Sequence, residues 1–384
     1  MKMFRIPSAR INWPTSLFLI GTLALSLTAV PLYVWRYGLD WFQVVLFLVF
    51  IFCSGLSITL GYHRLFAHLA FRASWPVRAA TLVFGAACFE GSALEWVSDH
   101  RRHHKHVDHE DDPYDITRGF FHAHVGWLLF KLKPSPPMEN VGDLESDRLL
   151  SWQHRYCVPL GIGAGLVLPA LIGWAWGGGR AGLGALLLAG VARIVCVHHS
   201  TFFINSFCHT IGRRPYSSRC TARDSWIMAL LTFGEGYHNY HHEFQHDYRN
   251  GVKPWQFDPT KWAIWLLHRA GLASHLRRVP AEKIQLAEIA EQQRQLEERL
   301  HARPGRICAA THQMLRLAQE RLQQAARHWE QRKTEYLRVT EKKIEASREK
   351  ISELRRESEA AAANLRAAIR SWRVAHRLAV ARFA

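Results

Sequence analysis

Three clusters of closely spaced histidines are the residues of this sequence whose types and spacing could do chemistry. The second and third clusters each place histidines at i, i+3 and i+4, and these positions share one face of a helix. The first cluster has two histidines, five positions apart. The members of the three clusters are His63 and His68, then His100, His103 and His104, then His238, His241 and His242.

The chemistry that these clusters indicate is metal binding. Sites with many imidazoles and few carboxylates suit iron, copper or zinc better than magnesium or calcium. On a helix of 3.6 residues per turn, His63 and His68 point about 140° apart, so they can serve two different metals. Solvated surface histidine is the ordinary explanation for a single residue, but it does not account for three spaced clusters. The pattern therefore predicts a metal site and suggests two ions.

Four long apolar stretches have to position these clusters. Each has about the 20 residues with which a helix crosses the hydrocarbon core of a bilayer. They occupy residues 16–35, 41–60, 152–176 and 181–206. The linkers within each pair are short, so the stretches predict two hairpins that leave both termini and all the histidine clusters on one side. The expected fold is an all-α membrane protein with four transmembrane helices, a His-rich cap and a helical C-terminal tail.

The distribution of charge predicts the orientation. The two linkers, residues 36–40 and 177–182, are nearly free of Lys and Arg, whereas the other loops carry most of the charge. By the positive-inside rule, the His-rich cap then faces the cytoplasm. The first apolar stretch follows Lys2, Arg5 and Arg10 and has no clear small-residue cleavage site, so it is interpreted as a membrane span and not as a cleaved signal peptide.

Composition excludes several other kinds of site. The seven cysteines show no CxxC spacing, so they are interpreted as small buried hydrophobes in a reducing compartment. The formal net charge is +17, and a basic face beside anionic lipid headgroups explains it economically. No nucleic acid partner is expected, because the sequence contains no zinc finger, helix-turn-helix signature or RNP-like run.

The acidic run after the second cluster has two interpretations. Asp108, Glu110, Asp111 and Asp112 precede Pro113. These carboxylates could accept the ring N–H groups of metal-binding histidines and so fix their orientation. Alternatively, they form a helix end and a turn that Pro113 closes. The sequence leaves the two alternatives open.

A change of composition near residue 281 divides the chain into a membrane domain, residues 1–280, and a charged helical tail, residues 281–384. The tail holds 22 Lys and Arg against 14 Asp and Glu. Leu337, Ile344 and Ile351 follow a seven-residue repeat typical of a long helix or coiled coil, and Pro304-Gly305 breaks the run into two helices. A solvated helix without a chemical role is the preferred interpretation, and partner binding or oligomerisation is the alternative.

The three boxes, His63-Arg-Leu-Phe-Ala-His68, His100-Arg-Arg-His-His104 and His238-Asn-Tyr-His-His242, resemble those of the membrane-bound fatty acyl desaturases of the Δ9, acyl-CoA-desaturase-like type, in their bacterial form. The resemblance covers about residues 15–260 and includes box type, order, spacing and hydropathy. Asn205-Ser206 with His209 and the Gly234-Glu-Gly-Tyr run before the third box also match. The resemblance implies an integral, multi-pass protein of a bacterial inner membrane.

The resemblance also implies a ligand set for two iron ions. One more histidine joins the eight in the clusters, and an asparagine holds a water. Carried over position by position, the set is His63, His68, His100, His103, His104, Asn205, His209, His238, His241 and His242. His106, His109, His198 and His199 match no ligand position. No catalytic side chain beyond the metal ligands is implied.

The implied reaction is the O2-dependent introduction of a cis double bond, at Δ9, into a saturated acyl chain. It needs two electrons from outside, because the sequence has no nucleotide-binding fingerprint, no cysteine cluster and no His-Pro-Gly-Gly motif of a fused cytochrome b5 domain. A separate ferredoxin, rubredoxin or cytochrome b5-type donor is therefore expected, and a basic face suits an acidic carrier.

Trp96, Asp99 and Lys131 match positions that the animal acyl-CoA enzymes of this family use for substrate. Ser98 replaces the arginine of their Arg-Asp pair, however, so the anion-binding set is thinner. Both acyl-CoA and a phospholipid-bound acyl chain stay open as substrates. A di-iron hydroxylase is the nearest alternative reaction, since the boxes alone do not separate the two outcomes. A non-enzymatic metal-binding membrane protein is the alternative from another class, but its ligands would be expected inside the spans.

Overall fold

The computed structural model describes residues 10–131, 138–302, 309–341 and 347–383. These residues are mostly helical, and two short strands, β1 (Arg72–Ala73) and β2 (Ala273–Ser274), pair antiparallel. The α-helices in chain order are α1 Trp13–Tyr37, α2 Trp41–Leu56, α3 Trp75–Ala86, α4 Ala93–His106, α5 Trp127–Leu129, α6 Gly142–Glu145, α7 Arg148–Ile162, α8 Leu168–Ala185, α9 Arg193–Thr210, α10 Trp226–Leu231, α11 His238–Glu243, α12 Pro259–Arg269, α13 Ala281–Ala302, α14 Ala309–Glu341 and α15 Arg348–Phe383.

Among the residues that the structure describes, three helical runs are long and apolar enough to cross a membrane: Trp13–Tyr37, Trp41–Ala67 and Arg148–Thr210. The first two coincide with the first predicted hairpin. Gly38, at φ 75°, ends α1, and the Asp40 side chain caps α2 by accepting from the Phe42 N–H at 3.0 Å. Glycine and a capping aspartate are what a tight helix-to-helix turn requires.

The third run has 63 residues and comprises α7, α8, α9 and the π-helical turns between them. At 1.5 Å per residue, a straight helix of this length would be about three times as long as the hydrocarbon core is thick. Its backbone is non-helical at Gly177 and Gly178, where the sequence predicts a linker. The chain packs closely across this point, because a Cβ at Gly173 would lie 2.4 Å from that of Ala185. Small residues permit such an approach.

The histidines are carried by elements at the ends of these runs. A π-helical segment, Ser57–Ala67, continues α2 and carries His63. The second cluster lies on α4, whose first turn is fixed by a capping box between Ser92 and Glu95. The third cluster lies on α11, and His209 lies in the last turn of α9. The predicted placement of the clusters on helices is therefore present in the structure.

The chain divides into two compact units, Met1–Arg214 with Ser218–Arg278, and Pro215–Ser217 with Val279–Ala384. The second unit contains α13, α14 and α15, one helix more than the sequence predicts, and Pro304-Gly305 lies outside the described residues. All three helices contribute to a buried cluster, formed by Ile289, Leu322, Trp329, Ala361, Leu365, Ile369 and Trp372. The tail is thus a packed helical unit with its own core, because bulky residues on α14 and α15 alternate with alanines that let the helices approach.

Candidate metal centre

The structure gathers nine histidines into two groups. In each group every residue offers one ligand atom, and these atoms lie within 4.8 Å of one another. The first group contains His63, His68, His100, His104 and His241, and the second contains His103, His209, His238 and His242. Every histidine of the predicted ligand set belongs to one of the two groups. All nine are buried except His104 and His242, which are half-buried.

The rings of each group face one another through their Nε2 atoms. In the first group the His241 Nε2 lies 3.0 Å from that of His63 and 2.9 Å from that of His104. In the second group the His238 Nε2 lies 3.1 Å from both the His209 and the His242 Nε2. A neutral imidazole carries one N–H, so converging Nε2 atoms present lone pairs to a common point when the proton is on Nδ1. That arrangement fits a metal cation.

Oxygen atoms behind three of the rings lie where they favour a proton on Nδ1. The His103 Nδ1 lies 2.9 Å from both oxygens of Asp112, and the His63 Nδ1 lies 3.0 Å from the Glu235 Oε2. The His209 Nδ1 lies 2.7 Å from the Thr221 hydroxyl, which donates to the Asp108 carboxylate at 2.6 Å. Carboxylates behind ligand histidines are usual in metal sites, because they fix tautomer and ring orientation.

The acidic run after the second cluster therefore combines both of its predicted roles. Asp108 and Asp112 orient imidazoles, whereas Glu110 and Asp111 are exposed in the turn that follows α4. Asp108 has a φ of 64°, in the left-handed region that is costly for residues other than glycine, although aspartate tolerates it better than most. That conformation lets Asp108 accept from the Thr221 backbone N–H at 2.7 Å as well as from its hydroxyl.

The electrostatic setting keeps the imidazoles neutral and their partners charged. Burial, followed by the neighbouring imidazoles, lowers the pKa of His100, His104 and His242 well below the ordinary value. Burial alone would raise the pKa of Asp112, but contact with His103 lowers it overall. Neutral rings are the form that coordinates a cation.

A buried ion network behind His63 was missed by the sequence reasoning. The Arg64 side chain is 1% exposed and lies 2.7 Å from the Glu235 Oε1. It also lies 3.0 Å from Asp258, and it donates to the Tyr248 carbonyl at 2.8 Å. The pKa of Glu235, which burial would raise, is lowered overall by Arg64 and His63. The only signal in the sequence was a charged pair, Arg64 and Glu235, within otherwise apolar or His-rich runs.

A cavity of about 510 Å³ opens onto the histidines. Four of them, His63, His100, His103 and His238, line it together with Asn205, so the predicted water-holding residue faces the same space. A volume of this order is typical of small-molecule sites. Apolar side chains make up much of the remaining wall.

The three predicted substrate residues differ in position. Trp96 and Asp99 line the cavity, and the Trp96 ring stacks on that of His100 with centroids 4.9 Å apart. Burial raises the pKa of Asp99 to about 6. Lys131 is exposed and is not among the described residues that line the cavity. The histidines left out of the ligand set stand apart from both groups: His198, for example, contacts the Cys88 carbonyl at 2.7 Å.

The structure has helices able to cross a membrane and two groups of inward-facing imidazoles beside a cavity. These features define a membrane protein with a candidate dinuclear metal centre. Residues 39–274 match the sequence profile of the family described as fatty acid desaturase. The chain belongs to this family.

Several characterised relatives are similar over most of the chain. Acyl-CoA desaturase 1 of Saccharomyces cerevisiae is 39% identical over 296 residues, which are 74% of this chain and 56% of the yeast protein. An sn-1 stearoyl-lipid 9-desaturase of Anabaena variabilis is 34% identical over 275 residues, 70% of this chain and 94% of that protein. Human stearoyl-CoA desaturase is 32% identical over 271 residues, 69% of this chain and 72% of that protein. The chain thus spans little more than half the length of its yeast relative.

Proposed function

We propose that this protein is an O2-dependent fatty acyl desaturase that introduces a cis double bond, at Δ9, into a saturated acyl chain carried as acyl-CoA. The observation that carries the proposal is that two groups of converging imidazoles adjoin one mostly apolar cavity. The family supports the reaction class. The names of the relatives support both the position of the double bond and the two possible carriers, CoA and a membrane lipid.

Two iron ions are the proposed cofactor. The nine histidines would hold them, five in one group and four in the other, and Asn205 would hold a water beside them. When bound, the ions supply the activation of O2 that an unactivated methylene pair requires. The protein's own residues do the rest: Asp112, Glu235 and Thr221 orient the rings, and the cavity excludes water and keeps the acyl chain still. Holding one methylene pair near the imidazoles is what makes the reaction regioselective.

Four membrane spans in two hairpins are the proposed topology, with the third helical run folding back at Gly177-Gly178. This arrangement would leave the histidines on the cytoplasmic side of a bacterial inner membrane, where soluble carriers can reach them. Residues 1–280 are the proposed membrane desaturase domain, and residues 281–384 form a tail that the reaction does not need.

An external protein is the proposed source of the two electrons, and a ferredoxin, rubredoxin or cytochrome b5-type carrier would serve. The net charge of +17 supports an acidic carrier, because opposite charge speeds the encounter of two proteins.

The test is expression in a desaturase-deficient host, followed by mass spectrometry of total fatty acids with double bonds located by derivatisation. The intact chain should yield a new monounsaturated acid, and the His103→Ala variant, present in the membrane at the same level, should not. A hydroxylated acid would overturn the reaction type. A further outcome is that the intact chain is present in the membrane together with a co-expressed carrier and still leaves the fatty acid profile of the host unchanged. That result would favour the non-enzymatic alternative.

A further inference from the structure

We propose that Phe89, held by a braced loop at residues 87–91, is the end wall of the acyl cavity and sets the longest chain that the protein accepts. The proposal rests on the function proposed above, because it concerns where the substrate's methyl end stops. It is carried by four observations: the contacts that connect Phe89 with the histidines along the cavity wall, the packing of the Phe89 ring, the polar contacts that brace the loop, and the strained backbone of Phe89.

Contacts between lining residues connect the histidines with Phe89. Trp96 stacks on His100, and its Nε1 donates to the Glu90 Oε2 at 3.1 Å. Phe89 comes next, and it also lines the cavity. On α2 and its π-helical continuation, the lining residue furthest from His63 is Ile58. These lining residues form a continuous wall from the histidines through Trp96 and Glu90 to Phe89, and we place the end of the acyl chain beside Phe89.

The Phe89 ring separates this space from α7 and the turn that follows it. One side of the ring packs on Phe18 of α1, with centroids 5.1 Å apart. On another side, a Cβ at Gly161 or at Gly165 would lie 3.1 Å from a ring carbon. The ring thus occupies a notch that exists only because these two positions lack side chains. Truncating the ring would join the notch to the cavity and lengthen it.

Two buried polar side chains fix the loop that carries the ring. Arg193 is fully buried, and it donates to the Ala87 carbonyl at 2.6 Å and to the Gly165 carbonyl at 2.9 Å. His198 contacts the Cys88 carbonyl at 2.7 Å. A buried arginine in an apolar helical run is costly. Here it ties the Ala87 carbonyl, where α3 ends and the loop begins, to the turn at Gly165 that follows α7.

Phe89 itself has a φ of 58°. This left-handed conformation is unfavourable for a bulky residue, so it persists only where the surroundings impose it. The bracing by Arg193 and His198 is what imposes it here. A wall held in this way cannot retreat to admit a longer chain, so each methylene beyond the limit should reduce turnover about 10-fold or more.

The test compares Phe89→Ala with wild type in membranes supplied with a reductant system and saturated acyl-CoA substrates of increasing length. Phe89→Ala should accept substrates two carbons beyond the wild-type limit with at least about 10-fold higher relative turnover. Phe84→Ala is the matched control, because Phe84 packs on Phe50 with centroids 6.1 Å apart and is not among the described residues that line the cavity. Its chain-length profile should equal that of wild type.

A binding measurement separates this inference from the proposed function. Saturated acyl-CoA should stabilise purified protein against heat, and the longest chain that still stabilises should increase in Phe89→Ala but not in Phe84→Ala. If wild type makes no unsaturated product, the proposed function fails. If wild type is active and both profiles of Phe89→Ala are unchanged, the inference fails. If Phe89→Ala does not accumulate in the membrane, the test uses Phe89→Leu, which removes less volume. This variant should extend the longest accepted chain by a smaller amount. An unchanged chain-length limit in Phe89→Leu would also overturn the inference.

Discussion

The rings of His104 and His242 stack face to face, with centroids 4.4 Å apart and planes 20° apart. They belong to different groups of imidazoles, and each is the most exposed member of its own group. The two candidate metal sites are therefore neighbours, and their contact lies on the side nearest to solvent. Each group also takes histidines from both the second and the third box, so these two distant boxes have to fold together before either site is complete.

Replacing either stacked histidine should lower metal content. We expect His104→Ala and His242→Ala each to bring the purified protein from about two metal ions per chain towards one, because each removes a ligand atom from one group. The measurement is metal analysis by inductively coupled plasma mass spectrometry. His106→Ala is the matched control, since His106 lies on the same helix but outside both groups. Equal metal content in all three variants and wild type would contradict the site.

Asp112 should matter for metal retention although it is not a ligand in the proposed set. In the wild-type protein both Asp112 carboxylate oxygens lie 2.9 Å from the His103 Nδ1. The substitution Asp112→Asn keeps the shape of the side chain but weakens this hydrogen bond, because it removes the charge. Loss of such an outer partner typically reduces metal affinity about 10- to 100-fold. Titration with a chelator measures the affinity. Asp111→Asn, whose carboxylate is 75% exposed, should behave as wild type, and an equal loss in both variants would argue against orientation by Asp112.

Arg64 should contribute strongly to stability. Its removal in Arg64→Met leaves the buried carboxylates of Glu235 and Asp258 without their cation. Breaking a buried ion pair from one side destabilises a protein by about 3–5 kcal/mol. Thermal unfolding in detergent should therefore show a clearly lower midpoint for Arg64→Met than for Arg72→Met, which changes an exposed arginine. Equal midpoints would show that the network is not needed for the fold.

The tail should be dispensable for chemistry. Ending the chain after Arg278 removes the helices α13, α14 and α15, whose cluster is formed by their own residues. We expect the shortened protein to reach the membrane and to yield the same fatty acid product in the expression test. A stop at Gly251, by contrast, also removes Asp258 from the Arg64 network and should abolish accumulation. Loss of product on removal of the tail alone would assign it a role in the reaction.

How much the sequence could predict depends on whether a feature is local. The clusters on α4 and α11 follow from spacing within each helix, and the non-helical backbone at Gly177 and Gly178 follows from glycines between two apolar runs. His209 shows no local pattern, and only the resemblance to the family indicated it. In the structure, its Nδ1 contacts the Thr221 hydroxyl, which donates to Asp108. Asp108 and Thr221 are 113 positions apart, so no local pattern could reveal this arrangement.

The features that sequence reasoning missed depend on contacts between distant segments. Arg64 and Glu235 are 171 positions apart, and nothing in either neighbourhood identifies the other as its partner. The third helix of the tail was missed for a different reason, because its charged residues continue the composition of the preceding helix without a proline or glycine to mark the break. Periodicity predicts elements, but it does not predict which buried charges meet.

Glu90 should make stability depend on pH. Burial raises its pKa to about 7 from an ordinary 4.5, against the opposing effect of the Thr201 hydroxyl and the Trp96 N–H. Because the folded-state pKa is the higher one, the unfolded chain releases this proton first as pH rises, so stability falls between pH 4.5 and 7 and then levels off.

Glu90→Gln keeps an acceptor for Trp96 and Thr201 but cannot ionise. Its unfolding midpoint in detergent should exceed that of wild type at pH 8, and the difference should shrink at pH 5. Glu145→Gln, an exposed position, should leave the pH dependence of wild type unchanged. A pH dependence in Glu90→Gln equal to that of wild type would show that the pKa of Glu90 is not raised in the folded protein.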